Sequence, residues 1–78
     1  MSKIAGWGER MRRAREGIGL TVEQAAVRIG VTRTTLASWE RETTSPDLGR
    51  VSQIARELQI DAAYLVFGRE RQRAGAIA

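Results

Sequence analysis

The sequence predicts an all-α protein, a compact domain of five short helices. Apolar residues recur at the three- and four-residue spacing of a helix face in five successive segments. Threonine or aspartate stands at the start of most of these segments, and glycine follows several of them. No stretch of useful length alternates apolar and polar residues as a half-buried strand would. Short connections between the segments favour packing of the helices into one compact domain.

The first helix is predicted from about Trp7 to Glu16. Trp7, Met11 and Ala14 fall on one helical face of this segment. Gly17 and Gly19, which follow, are expected to end the helix.

The second helix is predicted to begin at the segment Thr21-Val22-Glu23-Gln24, which has the pattern of a capping box. In such a box the threonine hydroxyl accepts a hydrogen bond from the Gln24 amide, and the Gln24 side chain accepts one from the Thr21 amide. The helix would bury an apolar face and stop at Gly30, since glycine tolerates the left-handed backbone of a sharp turn. Its apolar residues are Val22, Ala25, Ala26 and Ile29.

The third helix is predicted from Arg33 to about Arg41, with Thr32 as its N-cap. Leu36, together with Trp39 or Glu40, is expected to face inward. The outward residues are then Arg33, Thr34, Ala37, Ser38 and Arg41.

Two further helices complete the predicted fold. Leu48, Val51, Ile54, Ala55 and Leu58 mark the fourth, and Pro46 must lie before it or in its first turn. The fifth starts at an Asp61 cap, runs from Ala62 to Val66 and closes at Gly68. The expected core residues are Met11, Leu20, Leu36, Ile54, Leu58, Ile60 and Leu65.

The second and third predicted helices are separated by a very short turn. Only Gly30, Val31 and Thr32 separate them, so the helices must cross steeply. We expect their backbones to touch near Ala26, which would require small residues both there and at Gly30. This is the helix-turn-helix arrangement, whose second helix presents its first residues to the DNA major groove.

The composition excludes several functional classes. Among 78 residues there is no cysteine and no histidine, so disulfides and the usual zinc ligand sets are absent, and metal binding is not expected. The commonest general base and the strongest nucleophile are missing too, which argues against an enzyme. No cofactor is predicted. No apolar run is long enough to span a membrane, and the first residues lack a signal-peptide pattern, so a cytoplasmic protein is expected.

The charge favours a polyanionic partner. Thirteen basic residues, twelve of them arginine, stand against nine acidic ones and give a net charge of +4. Arginine matches phosphate and guanine edges with two parallel hydrogen bonds. A contribution to solubility alone is the alternative explanation of the charge.

Residues 6–68 resemble the lambda-repressor and Cro-type family, also called XRE. The resemblance rests on an ordered set of segments: Gly8-Glu9-Arg10-Met11, Thr21–Ala26, Ile29–Thr32, Leu36–Arg41, Ser45-Pro46, Ile54-Ala55, Tyr64-Leu65 and Gly68. It implies a five-helix DNA-binding domain with the helix-turn-helix in helices 2 and 3. Residues 1–5 would form a flexible N-terminal arm, and residues 69–78 a basic and then apolar tail that contributes to dimerisation.

The resemblance also implies which residues contact double-stranded DNA. The base-contacting positions fall on Arg33, Thr34 and Ser38, with Ala37 close by. Arg33 suits the O6 and N7 atoms of guanine, and Thr34 offers a methyl and a hydroxyl group. A phosphate contact or plain solvation is the alternative for these side chains.

Phosphate contacts are expected on both sides of the third helix. The free amides of Val22 and Glu23 would form an anion site at the start of helix 2, and the loop after helix 3 would hold the backbone on the other side. The loop residues are Arg41, Thr43 and Thr44, and Arg10 and Arg13 on helix 1 are weaker candidates, with a solvated face as the alternative.

The resemblance further pairs Arg15 with Glu40 as a buried structural ion pair.

This sequence departs from the family pattern at Glu42, where glycine is usual, and at Ala14 and Ala25, where leucine is commoner. At Glu42 we expect a longer third helix or a strained loop, and a local weakening of phosphate binding. We expect Trp39 to fill the missing core volume.

The function implied is a transcriptional regulator, in particular a repressor that binds a palindromic operator as a homodimer. The expected dimer surface comprises Tyr64, Val66, Phe67 and Ile77. The alternative is an antitoxin or bridging factor on the same scaffold, which would bind a protein partner through this surface.

Overall fold

The computed structural model describes residues 6–68, and these form five α-helices with no strand among them. In chain order they are α1 (Trp7–Gly17), α2 (Val22–Ile29), α3 (Arg33–Arg41), α4 (Leu48–Leu58) and α5 (Ala62–Phe67). The predicted fold class and the order of the elements are confirmed, and each bound lies within one residue of its prediction. The predictions for residues 1–5 and 69–78, Ile77 included, lie outside the described residues.

Side-chain caps define where four of the helices begin. Each capping side chain accepts a hydrogen bond from the amide three residues further on, at 3.0–3.2 Å. At the start of α2 the Gln24 side chain also accepts from the Thr21 amide, so the predicted capping box is present. The four caps are Thr21, Thr32, Asp47 and Asp61.

The turn between α2 and α3 depends on the backbone conformation of Gly30. Its φ is 90° and its ψ is 30°, in the left-handed region that costs a residue with a Cβ atom free energy. The expected steric reason for glycine here is wrong, because a Cβ built on Gly30 would meet no atom within 4 Å. Ala26, 2% exposed, does lie in the interior next to this turn.

The core lies where the five helices meet, and every helix contributes to it. Its buried residues are Met11, Ala25, Ala26, Ile29, Leu36, Trp39, Ile54, Leu58 and Leu65. The predicted core members Leu20 and Ile60 are only partly buried and pack against it. Trp39, 6% exposed, lies in the same cluster as Ala25, which agrees with the expectation that a large side chain offsets the small ones.

Helix α4 is fixed to the end of α2 by polar contacts. The side-chain amide of Gln53 donates to the carbonyl oxygen of Ile29 at 2.8 Å, and Arg50 Nη1 donates to the same oxygen at 3.3 Å. Ile29 is the last residue of α2, so these bonds satisfy a carbonyl that the helix leaves free. They tie the end of α2, next to the turn at Gly30, to α4.

Candidate nucleic-acid interface

Helices α2 and α3 pack closely through small and aliphatic side chains. Ala25 and Leu36 are fully buried, so the two helices share the interior of the domain. Because α3 is seated on its Leu36 and Trp39 face, the opposite face is left to solvent. This is the face that the sequence predicts to be outward.

The first turn of α3 carries the most accessible of the predicted base-contacting residues. Arg33 and Thr34 are exposed, and 65% of the Arg33 side chain is open to solvent. Ala37 and Ser38, one turn further on, are half-buried. The predicted residues therefore share one face, with the long and polar side chains at its more open end.

The start of α2 supplies backbone donors beside this face. The Thr21 hydroxyl accepts a hydrogen bond from the Gln24 amide. The amides of Val22 and Glu23, in the same first turn, have no hydrogen-bond acceptor in residues 6–68. The Val22 side chain is half-buried and packs against the core. Because valine has no polar side-chain atom, only its main-chain amide could donate, and that amide lies at the positive end of the helix dipole.

The loop after α3 divides the predicted phosphate-contacting residues into two kinds. Arg41 and Thr44 are exposed. By contrast, both donors of Thr43 are occupied, since its amide and its hydroxyl donate to the Ser38 carbonyl oxygen at 3.0 and 3.2 Å. A phosphate only accepts hydrogen bonds, so Thr43 closes the end of α3 in this conformation, and its contact with phosphate stays a prediction.

Arg15 and Glu40 form the pair that the resemblance implies. Arg15 Nε donates to Glu40 Oε2 at 2.7 Å and Nη2 to Oε1 at 3.0 Å, while Nη1 donates to the Leu20 carbonyl at 2.9 Å. The side chains are only 9% and 8% exposed. The hydrogen bond to Glu40 raises the pKa of Arg15. The pair joins α1 to α3 and fixes the inclination of α3 on the scaffold.

Glu42 meets the expectation of a strained loop and not that of a longer helix, and it has a further role that was not expected. Helix α3 ends at Arg41, and Glu42 adopts the left-handed backbone with φ of 63°, so the residue is strained and the helix is not extended. Its Oε2 accepts hydrogen bonds from the Gly6 and Gly8 amides at 2.9 and 2.8 Å. The carboxylate therefore caps α1, and the expected local weakening of phosphate binding by its charge stays a prediction.

Both residues of α1 that were predicted to contact phosphate, Arg10 and Arg13, have partners within the protein. Arg10 Nε donates to the Leu65 carbonyl at 3.0 Å and Nη2 to the Val66 carbonyl at 3.1 Å, which ties α1 to the end of α5. These bonds give Arg10 a role in the scaffold, and its contact with phosphate stays a prediction. Arg13 is 71% exposed and contacts Glu9 at 3.1 Å. Hydrogen bonds from Arg12, and then from Arg13, lower the pKa of Glu9.

Three contributions to this scaffold were not foreseen from the sequence. They are the Glu42 cap, the Arg10 bonds to α5 and the close approach of Gly8 to the end of α3. A Cβ on Gly8 would lie 2.6 Å from the Glu40 carbonyl oxygen. The glutamate in a position where relatives have glycine was the one visible signal.

No group of three or more potential metal ligands occurs within residues 6–68. In that same part of the chain, no helix is long and apolar enough to cross a membrane.

Known proteins share this arrangement. A family profile described as helix-turn-helix matches residues 11–65, whereas no curated protein matches the chain. A crystal structure of the P22 c2 repressor with synthetic operator 9T is 25% identical, with a TM-score of 0.78 over 87% of this chain and 100% of that one.

The structures of two DNA-binding domains also resemble this chain. The DNA-binding domain of the P22 c2 repressor, determined by nuclear magnetic resonance, is 25% identical with a TM-score of 0.79 over 91% of this chain and 93% of that one. The N-terminal DNA-binding domain of SinR from Bacillus subtilis is 22% identical, with a TM-score of 0.72 over 85% of this chain and 94% of that one; it supports the fold alone. The chain therefore belongs to the XRE-type, lambda-repressor-like helix-turn-helix family.

Proposed function

We propose that this chain is a transcriptional repressor that binds a palindromic DNA operator as a homodimer, with α3 in the major groove. The observation that carries the proposal is the orientation of α3, whose Arg33 and Thr34 side chains are exposed while Leu36 and Trp39 are buried. The likeness to a P22 c2 repressor solved with its synthetic operator supports it. Acting on DNA, the protein would work in the cytoplasm.

The proposed recognition of DNA bases uses four side chains of α3, three of them polar. Arg33 donates two hydrogen bonds to a guanine, and Thr34 and Ser38 contact neighbouring base edges through their hydroxyl groups. Ala37, half-buried on the same helix, offers a methyl group to a thymine.

The proposed phosphate contacts lie on either side of this face. The amides of Val22 and Glu23 bind one phosphate at the start of α2, where the helix dipole favours an anion. Arg41 and Thr44 bind the backbone beyond the end of α3, and the exposed Arg13 adds a longer-range attraction. These contacts release counterions, so the affinity should fall steeply with salt.

The proposed dimer surface lies around the end of α5. Phe67 is 72% exposed, so the end of this helix presents a large aromatic side chain to solvent. Val66 lines a neighbouring apolar cavity of about 160 Å³, and Tyr64 is half-buried on the same helix. The other residues that line the cavity are Trp7, Met11, Ser45, Pro46, Leu48, Val51 and Leu65. Ile77, outside the described residues, belongs to the same proposal.

A second candidate function uses the same apolar surface. Exposed Phe67 beside an apolar cavity also fits an antitoxin or bridging factor that binds another protein. In that case the purified chain alone would remain monomeric on a single half-site. A stoichiometric protein partner recovered from the source cell would distinguish the two candidates.

Selection of binding sequences from random duplexes tests the main proposal. We expect an enriched site with two-fold symmetry and half-sites about one helical turn apart, 34–36 Å. We also expect the logarithm of affinity to fall linearly with the logarithm of salt concentration. The absence of any enriched sequence, or an affinity that salt leaves unchanged, would contradict it.

A further inference from the structure

We propose that the Glu23 side chain sets the base selectivity of Arg33 by holding its guanidinium group from the α2 side. This inference rests on the proposed function. It starts from a contact across the helix-turn-helix, in which Glu23 Oε2 lies 3.8 Å from Arg33 Nε. The two residues stand in the first turns of different helices, so the contact spans the two elements of the candidate interface.

The position of Arg33 on α3 favours an ion-pair partner from outside that helix. It is the first residue of the helix, where the dipole is positive and repels a guanidinium group. The first turn of α3 contains no acidic residue that could offset this repulsion. Within residues 6–68, Glu23 is the carboxylate that contacts Arg33.

Glu23 is the acidic residue of α2 and α3 that remains at the surface. The other, Glu40, is buried against Arg15 and unavailable. A carboxylate beside a phosphate-binding surface lowers the affinity for any DNA, since it repels the backbone. What Glu23 can improve instead is the preference for one sequence over another, through the arginine that it touches.

The geometry of the contact explains how selectivity would arise. The carboxylate approaches the Nε side of the guanidinium group, which leaves the two terminal amino groups of Arg33 free. These two groups can donate together to the O6 and N7 atoms of a guanine. The Arg33 side chain is 65% exposed, so without this contact it would sample many rotamers.

Two substitutions of Glu23 separate the contact from its charge. Glu23→Gln keeps the length of the side chain and removes the charge, whereas Glu23→Asp keeps the charge and shortens the reach. The measurement is the ratio of dissociation constants between the selected duplex and duplexes altered at the base pair that Arg33→Ala relaxes. We expect both variants to lower this ratio about two- to fivefold, the range of an exposed ion pair. Only Glu23→Gln should bind every duplex more tightly.

Three controls make the result decisive. Glu57→Gln on α4 changes the net charge equally and should leave the ratio unchanged. In an Arg33→Ala background, Glu23→Gln should no longer change the ratio. Thermal melting followed by circular dichroism should show that each variant stays folded, since Glu23 is 75% exposed.

The outcomes against the inference are distinct from those against the function. If the wild type selects a sequence and Arg33→Ala relaxes it, but the Glu23 variants keep the wild-type ratio, the inference is overturned and the function stands. The inference is also overturned if Glu23→Asp behaves as wild type, because charge alone would then suffice. A wild type without any base preference overturns the proposed function itself.

Discussion

The Gly8 amide donates to the Glu42 carboxylate at 2.8 Å, and a Cβ on Gly8 would lie 2.7 Å from Cγ of the same glutamate. The start of α1 and the end of α3 thus approach closely at Gly8. Its amide donates the hydrogen bond, and its lack of a side chain permits the approach. Arg15 and Glu40 join the same two helices further along. The inclination of the proposed DNA-reading helix therefore depends on contacts with α1 as well as on the turn at Gly30.

The close approach at Gly8 predicts a large effect of a small substitution. Gly8→Ala places a methyl group 2.6 Å from the Glu40 carbonyl oxygen and should lower the free energy of unfolding by about 1–3 kcal/mol. Gly17→Ala in the same helix is the control, since a Cβ there meets nothing within 4 Å. It should stabilise by about 0.5–1 kcal/mol, as alanine favours a helix. Chemical denaturation measures both; equal effects would exclude the steric explanation.

Glu42 combines a favourable cap with an unfavourable backbone, and two substitutions separate these effects. Glu42→Ala loses the cap on α1 and keeps the positive φ, so it should cost about 1 kcal/mol of unfolding free energy. Glu42→Gly loses the same cap but removes a backbone strain of about 1 kcal/mol, so it should be close to neutral. Denaturation midpoints give the order. Alanine as stable as glycine here would argue against strain at Glu42.

The buried pair should be more sensitive to the loss of one member than to the loss of both. Arg15→Met or Glu40→Leu should each destabilise the domain by about 3–5 kcal/mol, because the remaining charge is left buried without a partner. The double variant should recover much of this loss. Arg13→Gln, which removes an exposed pair with Glu9 on α1, should change the unfolding free energy by less than about 1 kcal/mol. Additive effects of Arg15→Met and Glu40→Leu would contradict the pair.

Adjacent threonines in the loop after α3 should differ in what they affect. Thr43→Ala removes a hydrogen bond to the Ser38 carbonyl and should cost about 1 kcal/mol of stability, with base selectivity unchanged. Thr44→Ala should leave stability within about 0.5 kcal/mol and weaken binding to all duplexes by a similar factor. Melting curves and titrations with two unrelated duplexes separate the effects. A reversed pattern would return Thr43 to the interface.

The role of Arg33 predicts a change confined to one base pair. Arg33→Ala should weaken binding to the selected site by about 1–3 kcal/mol and relax the preference at a single position of each half-site. Arg28→Ala, which removes the same charge from an exposed position late in α2, should weaken binding to all duplexes alike. Titrations with singly substituted duplexes measure both. Unchanged affinity and preference in Arg33→Ala would exclude this arginine from base readout.

Local signals carried most of the fold prediction. The capping box at Thr21 and Gln24 formed as expected, since its hydrogen bonds join residues three apart and need no distant partner. Gly30 was predicted for its left-handed backbone and adopts it, but the steric argument attached to it failed. A backbone preference is a property of one residue, whereas free space around a Cβ depends on every neighbouring element.

In the candidate site, too, local features could be predicted and long-range contacts could not. The exposed face at Arg33 and Thr34 followed from helical periodicity, and its contacts with DNA stay a prediction. Sequence reasoning could not find that Arg10 binds the carbonyl oxygens of α5, 55 and 56 residues away. Nor could it separate Thr43 from Thr44, because the difference is which hydroxyl reaches the Ser38 carbonyl.

The sequence by itself determined the five helices, their order, their caps and the family to which the chain belongs, because these depend on residue types at short and fixed spacings. Tertiary structure alone decided that Glu42 caps α1, that Gly8 must remain without a side chain and that Glu23 reaches Arg33. Such contacts join residues far apart in the chain or on different helices, and only the packing of the helices brings those atoms within bonding distance.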